Sequence, residues 1–182
     1  MKNLKSLKWV ALVLVAFLTI NCSSDDDGGS GGGGDVYAIY SLKIDGTTYN
    51  GTVSNEDRGG SIYGSTPEET AIIFSIPKIP IGDDMVLING GLVLDANNNP
   101  NPLGLEEDSS ILGFTYNYTE SNPTSYGSIE GSLTLTNLRL TPMPAGKWAK
   151  FKLDFSGTFK NSFDGTTKVI SGTVEIVGEY IE

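Results

Sequence analysis

The chain has 182 residues, with 22 Asp and Glu against 12 Lys and Arg, no His and a single Cys. Without His, neither a Ser-His-Asp triad nor a Cys-His pair can be assembled, and one Cys allows no internal disulfide. The formal net charge of -10 disfavours nucleic acid and anionic lipid as partners, because both are polyanions.

Residues 1–21 have the pattern of a secretory signal peptide, with three lysines before a largely apolar run of twelve residues that ends at Ile20. A membrane-spanning helix needs about 20 apolar residues, so this run is too short to cross a bilayer. The only cysteine, Cys22, follows directly, and the segment from Leu18 to Cys22 resembles a lipobox. We therefore expect Cys22 to be lipidated. The alternatives are an ordinary signal peptide with a chance cysteine, or an uncleaved anchor.

Residues 22–35 predict a flexible tether, because an acidic run, Asp25 to Asp27, is followed by a stretch made almost entirely of glycine. A lipidated cysteine, an acidic patch and a glycine tether together resemble the start of a Bacteroidota lipoprotein. The resemblance implies export to the outer face of the outer membrane, with the protein held there by its lipid anchor.

Residues 36–182 predict a single all-β domain. Phe151, Leu153 and Phe155 alternate with polar residues, which is typical of a strand with one buried face. No window of helical length has a period of 3.6 residues. The same alternation predicts nine antiparallel strands, at 36–44, 47–53, 61–64, 70–76, 85–94, 112–119, 126–140, 150–160 and 170–180.

Turn residues indicate how these strands connect. Asp45-Gly46 and Asp164-Gly165 tolerate positive φ, so each predicts a tight hairpin. The apolar parity changes between Leu135 and Leu138, which predicts a bulge near Asn137. Nine short strands with such turns form either a β-sandwich or a β-barrel, and periodicity does not choose between them.

One loop resembles a calcium site. Asp95, Asn97, Asn99 and Glu106 occupy positions 1, 3, 5 and 12 of an EF-hand loop. The sixth position, which requires glycine, is Pro100, and no helices flank the loop. A polar connection between strands is therefore favoured, and a loose Ca²⁺ site is the alternative.

The domain offers carboxylates and aromatic side chains as candidate functional groups. A carboxylate-dependent glycosidase would use Asp83, Asp84, Glu106 or Glu107, although neighbouring residues in turns tend to point apart. Four aromatic residues near turns or strand ends are candidates for stacking on a sugar ring, although tyrosine is also common in strands for packing reasons. They are Tyr49, Tyr63, Tyr126 and Trp148.

The second half of the chain is similar to a family of small Bacteroidota cell-surface lipoproteins classed as domains of unknown function. The similarity lies in 115–118, 131–136, 155–159 and 169–174, together with the turn at Ile44-Asp45-Gly46. It implies a C-terminal all-β domain behind a lipoprotein signal. It implies no functional residues.

The sequence thus predicts a non-enzymatic, lipid-anchored β-domain on the outer-membrane surface, with a binding or envelope role. The expected partners are the membrane, through Cys22, and a glycan or protein ligand, and not nucleic acid. No cofactor is expected apart from Ca²⁺ at the Asp95 loop. The alternatives are a carboxylate-dependent glycan hydrolase and a lipocalin-like carrier of a small apolar ligand.

Overall fold

The computed structural model describes residues 35–66, 69–144 and 146–180. The described residues all belong to one compact unit, Gly34–Glu182. The predicted signal peptide, Cys22 and nearly all of the tether lie outside the described residues. Within the described part every regular element is a strand, which confirms the all-β prediction. No helix there is long and apolar enough to cross a membrane.

Within the described residues, nine strands are found where nine were predicted. They are β1 (Val36–Ile44), β2 (Thr47–Ser54), β3 (Ser61–Ser65), β4 (Thr70–Ile81), β5 (Asp84–Leu94), β6 (Ile111–Tyr116), β7 (Thr124–Met143), β8 (Gly146–Asn161) and β9 (Thr167–Ile176).

Several strand ends differ from the prediction by up to five residues, and two of them differ because of residues with positive φ. Strand β4 continues five residues beyond Ile76, because Lys78, at φ 55°, forms a bulge after which the ladder with β5 resumes. Strand β6 ends before Asn117, at φ 50°, whose backbone N–H donates to Met85 and starts a turn. The bulge predicted near Asn137 is confirmed, since the register of β7 against β8 shifts between Thr136 and Arg139.

The strands form one antiparallel sheet, in the order β2-β1-β9-β8-β3-β4-β5-β6-β7, and β7 also pairs with β8. That extra pairing closes a hydrogen-bonded ring of six strands, β3 to β8. On the edge opposite β7, strand β8 pairs with β3 near Trp148 and with β9 from Phe151 onward. Strands β9, β1 and β2 therefore continue the sheet away from the ring.

Large apolar side chains fill the interior. Phe74 and Phe151 meet edge to face with their ring centroids 5.3 Å apart, and Phe114 meets Phe159 in the same way at 5.0 Å. A Cβ added at Gly90 would lie 2.5 Å from Phe74 and 2.7 Å from Leu112, so glycine is required for close approach at that point. This core fixes the strands that carry the site described next.

The sheet has two distinct ends. The hairpin end carries the turns β1–β2, β4–β5, β6–β7 and β8–β9. The loop end carries the connections β3–β4, β5–β6 and β7–β8 and the start of the β2–β3 connection, together with the first described residue, Asp35, and the segment that follows β9.

Candidate functional site

Four side chains at the hairpin end form what we call the Tyr–Lys cluster: Tyr49, Tyr116, Tyr126 and Lys168. Each occupies an inward-facing position near the hairpin end of its strand. Tyr126 pairs with the inward Phe114, Tyr49 with the buried Leu42 and Lys168 with the buried Phe159. Strand alternation therefore brings the four residues to the same end of the sheet.

Lys168 lies over two aromatic rings. Its Nζ is 5.5 Å from the ring centroid of Tyr116 and 5.4 Å from that of Tyr126, which is within cation–π range. The two rings meet edge to face with centroids 5.8 Å apart. Lys168 also forms an ion pair with Asp45, with 3.3 Å between Nζ and Oδ2. The ammonium group is therefore held in place from two sides.

The β1–β2 turn delivers Asp45 to the cluster. Asp45 and Gly46 both have positive φ, 48° and 90°, as a type I′ hairpin turn requires. The Asp45 carboxylate remains 55% exposed, whereas the Lys168 side chain is only 27% exposed. The carboxylate thus keeps capacity to accept hydrogen bonds from outside the protein.

The Tyr116 hydroxyl is buried, since the whole residue is only 8% exposed. It has no hydrogen-bond partner among the described residues. Burial raises the pKa of this phenol above its ordinary value, and electrostatic interactions with neighbouring groups, Tyr126 and the Asp45 carboxylate among them, raise the pKa further. The hydroxyl therefore keeps its proton at neutral pH. It is a donor that lacks an acceptor, which is costly in a folded protein and is typical of functional sites.

An apolar ring also projects from the hairpin end. Phe163 lies in the β8–β9 turn, and its side chain is 86% exposed. The same turn places the Thr166 hydroxyl 3.5 Å from the hydroxyl of Tyr126. An exposed aromatic ring beside fixed donors and acceptors suits a bound molecule that has both apolar and polar faces.

The structure separates the four predicted aromatic residues. Tyr49 and Tyr126 lie at the hairpin end, whereas Tyr63 and Trp148 lie at the loop end. Trp148 is buried, and its indole N–H donates to the Gly178 carbonyl at 2.9 Å, so it serves packing. Tyr63 carries Lys147 over its ring at 5.5 Å. These residues therefore do not form one site.

The predicted carboxylates are separated in the same way. Asp83 and Asp84 lie at the β4–β5 turn of the hairpin end, while Glu106 and Glu107 are exposed in the β5–β6 connection at the loop end. Asp84 also accepts a hydrogen bond from the Asn117 amide at 2.8 Å. The two groups of carboxylates thus do not face each other across one cleft, as a glycosidase pair must.

The candidate calcium loop is a hydrogen-bonded turn organised by Asp95. Its carboxylate accepts from the backbone N–H of Asn97 and Asn99, each at 2.8 Å, and from the Asn99 amide at 3.1 Å. These bonds lower the pKa of Asp95. Glu106 is exposed in the same connection, and the described residues contain no group of three or more His, Cys, Asp or Glu able to hold a metal. The calcium site stays a prediction.

Sequence analysis missed Tyr116, Lys168 and Asp45 as site residues. The available signal was the alternation along β9, which puts Lys168 on the same face as the buried Ile170 and Val174. A lysine at an inward-facing strand position is unusual, because its charge requires a partner there. The partner, Asp45, lies 123 residues away along the chain, so no local pattern reveals it.

Comparisons with known proteins give no match: the chain fits no family model, no curated protein and no solved structure.

Proposed function

We propose that this protein is a non-enzymatic surface lipoprotein that binds a neutral glycan at the hairpin end of its β-domain. The lipid anchor would be Cys22, and the location would be the outer face of the outer membrane. The support for the anchor is the order of segments in residues 1–35: a basic start, a short apolar run, one cysteine and an acidic, glycine-rich tether.

The charges at the hairpin end favour a neutral ligand. Asp45, Asp83, Asp84 and Asp164 are all in turns or at a strand start there. Lys43 and Lys160 also lie near this end, and the one cluster lysine, Lys168, is already paired with Asp45, so no excess of positive charge remains to attract an anion. The whole region after the tether has 18 acidic against 9 basic residues. An anionic ligand would be repelled by this field, whereas a sugar would not.

The groups of the Tyr–Lys cluster match the chemistry of a sugar ring. Lys168 can donate hydrogen bonds, the Asp45 carboxylate can accept them, and aromatic rings contact the apolar C–H faces of sugars. The observation that carries the proposal is the Lys168 ammonium group, which lies over the rings of Tyr116 and Tyr126 and is paired with an Asp45 side chain that is 55% exposed. The Tyr116 hydroxyl is buried, so a ligand would reach it only if side chains of the cluster moved.

The two alternative functions have less support. A glycan hydrolase needs a facing pair of carboxyl groups, and the candidate acids lie at opposite ends of the sheet. A lipocalin-like carrier needs an internal cavity, but Ile72, Ile88 and Leu153 of the interior are all 0% exposed, so no solvent-sized space opens beside them. Neither alternative accounts for the Tyr–Lys cluster.

The proposal is tested on an array of neutral and anionic oligosaccharides probed with the full-length chain and with two matched pairs of variants. Lys168→Met and Tyr126→Ala alter the hairpin end, and Lys147→Met and Tyr63→Ala alter the similar lysine–tyrosine contact at the loop end. We expect the unmodified chain to bind neutral glycans. Only the first pair, Lys168→Met and Tyr126→Ala, should lose at least about tenfold in affinity, which is the equivalent of one good charged hydrogen bond.

Three results would overturn it: no glycan is bound, anionic glycans are preferred, or both pairs of variants weaken binding equally.

The anchor is tested separately by Cys22→Ser in cells that process lipoproteins. We expect the protein to move from the membrane fraction to the soluble fraction, because the acyl chains attached to Cys22 would supply the membrane affinity. Retention of Cys22→Ser in the membrane would contradict the lipoprotein assignment without affecting the glycan proposal.

A further inference from the structure

Strand β7 has a long edge that no other described strand covers. The strand has 20 residues and pairs with β8 along nearly all of them, but β6 covers its other edge only from Thr124 to Gly127. The backbone N–H of Leu103 then donates to the Gly131 carbonyl on that edge at 3.2 Å. From Ser132 onward, the outer edge of β7 has no partner among the described residues.

This edge also leaves apolar surface uncovered. Leu133 and Leu135 face the core side, opposite the buried Phe155 and Leu153, yet both remain half-buried. Leu138 is half-buried as well, and Leu140 is 36% exposed. A strand added beside β7 would cover these leucines in the way that β8 covers them on the other side.

The first part of the uncovered β7 edge lacks the features that usually prevent a free edge from pairing with another strand. Native proteins guard such edges with charged residues, proline or a bulge. The stretch from Ser132 to Thr136 contains none of these, whereas the bulge at Asn137, Arg139 and Pro142 follow directly. The unguarded part is therefore a window of five residues, bounded by Leu103 on one side and by the bulge on the other.

We propose that two copies of this chain form a symmetric dimer by antiparallel pairing of β7 with β7 of the second copy. In an isologous interface each residue i meets residue j, and j meets i, so the edge must be complementary to itself. The window meets this requirement when Thr134 lies on the two-fold axis. Thr134 then faces Thr134 of the second copy, and Ser132 faces Thr136.

Both faces of the joined sheet match in this register. On the core side, Leu133 of one copy lies opposite Leu135 of the other, twice by symmetry, so apolar surface meets apolar surface. On the outer side, Thr134 meets Thr134 and Ser132 meets Thr136, so small hydroxyl side chains meet and no like charges oppose each other within the window.

The bulge explains how the second strand leaves the edge. Beyond Thr136 a second copy would run into the position that Leu103 occupies beside Gly131. Asn137 has φ 57°, and the strand bends there, which directs the chain away from the ladder at that point. A partner with a longer straight strand would not fit the same window, so this geometry favours a second copy over an unrelated extended peptide.

The register is tested by cysteine crosslinking in the full-length chain that carries Cys22→Ser, so that the introduced cysteine is the only thiol and no lipid concentrates the protein. Directly opposed residues of an antiparallel pair have Cα atoms about 4.5–5.5 Å apart, within disulfide range. Thr134→Cys should therefore form a disulfide-linked dimer under mild oxidation. Thr136→Cys, on the same strand and face, should not, because its own counterpart would lie about 13 Å away, four residues along the strand.

A second measurement tests the dimer without a crosslink. Thr134→Lys places two like charges against each other on the axis, while within one copy the lysine faces Asp154 across the ladder. We expect the Cys22→Ser chain to dimerise with rising concentration in analytical ultracentrifugation and Thr134→Lys to abolish the dimer with an unchanged melting curve. Ser156→Lys, on the same face of the covered strand β8, should still dimerise.

Equal crosslinking of Thr134→Cys and Thr136→Cys would overturn the register. A chain that stays monomeric throughout the concentration series, or a dimer that is insensitive to Thr134→Lys, would overturn the proposal. None of these three outcomes would bear on glycan binding at the hairpin end.

Discussion

The two ends of the sheet use similar residues in different ways. At the loop end, the Trp148 indole donates to Gly178, and the Tyr37 hydroxyl donates to the carbonyls of Ser75, at 2.9 Å, and Gly60, at 3.2 Å. At the hairpin end, the buried hydroxyl of Tyr116 has no partner among the described residues. The polar groups of Trp148 and Tyr37 are therefore satisfied within the fold, whereas the Tyr116 hydroxyl is not.

The contrast marks the hairpin end as the part of the described fold in which a buried aromatic hydroxyl is left unpaired. Buried polar groups are normally hydrogen-bonded, because leaving one unpaired costs about 1–3 kcal/mol. Removing the Tyr116 hydroxyl should therefore change stability differently from removing a paired one. Each of the following experiments compares one residue from each end.

The largest effect is expected from truncating one aromatic residue at each end. Trp148→Ala should lower the free energy of unfolding by about 3–5 kcal/mol, because it removes a buried ring and leaves the Gly178 carbonyl unpaired. Tyr126→Ala should cost roughly half as much, because its ring is only half-buried. Urea denaturation measures both, and an equal loss at the two ends would contradict the distinction.

An intermediate effect, opposite in sign at the two ends, is expected from removing one hydroxyl. Tyr37→Phe should destabilise the protein by about 1–3 kcal/mol, because it takes the hydroxyl donor away from the buried Ser75 carbonyl, although the Gly60 carbonyl still accepts from the Ser75 N–H. Tyr116→Phe should be neutral or stabilise the protein by up to about 2 kcal/mol, because it removes an unpaired buried group. The test is the difference between the two melting curves, and a destabilised Tyr116→Phe would show that the hydroxyl has a partner.

The smallest effect is expected from acid titration of one turn aspartate at each end. Hydrogen bonds lower the pKa of Asp95 at the loop end, mainly through Asn99, and of Asp164 at the hairpin end, through Thr166. A lowered pKa means that the unfolded chain binds the proton more readily, so this stability is present above about pH 4 and is lost as the pH falls through the folded-state value.

Asp95→Asn and Asp164→Asn keep an acceptor oxygen but do not titrate, so the melting temperature of each variant should fall less steeply below about pH 4. The change in slope should be larger for Asp95→Asn, because Asp95 accepts three hydrogen bonds and Asp164 accepts two. Unchanged acid sensitivity in both variants would show that other groups control it.

Sequence patterns predicted the strands well and the site only in part. Alternation located all nine strands, and Asp45-Gly46 and Asn137 marked a turn and a bulge that the structure confirms. The predicted end of β4 was wrong, because Lys78 adopts a positive φ, which a lysine rarely does. Of the four aromatic candidates, Tyr49 and Tyr126 belong to the Tyr–Lys cluster, whereas Tyr63 and Trp148 lie at the other end.

The sequence by itself determined which residues form strands and which face each residue takes, because alternation and turn chemistry act over a few neighbouring positions. Only the tertiary structure decided which strands meet. The pairing of β3 with β8 joins Ser61 to Ala149, 88 residues apart, and the ion pair of Lys168 with Asp45 spans 123. Strand pairing depends on burying the inward faces together in one core, and that is a property of the whole sheet rather than of any single segment.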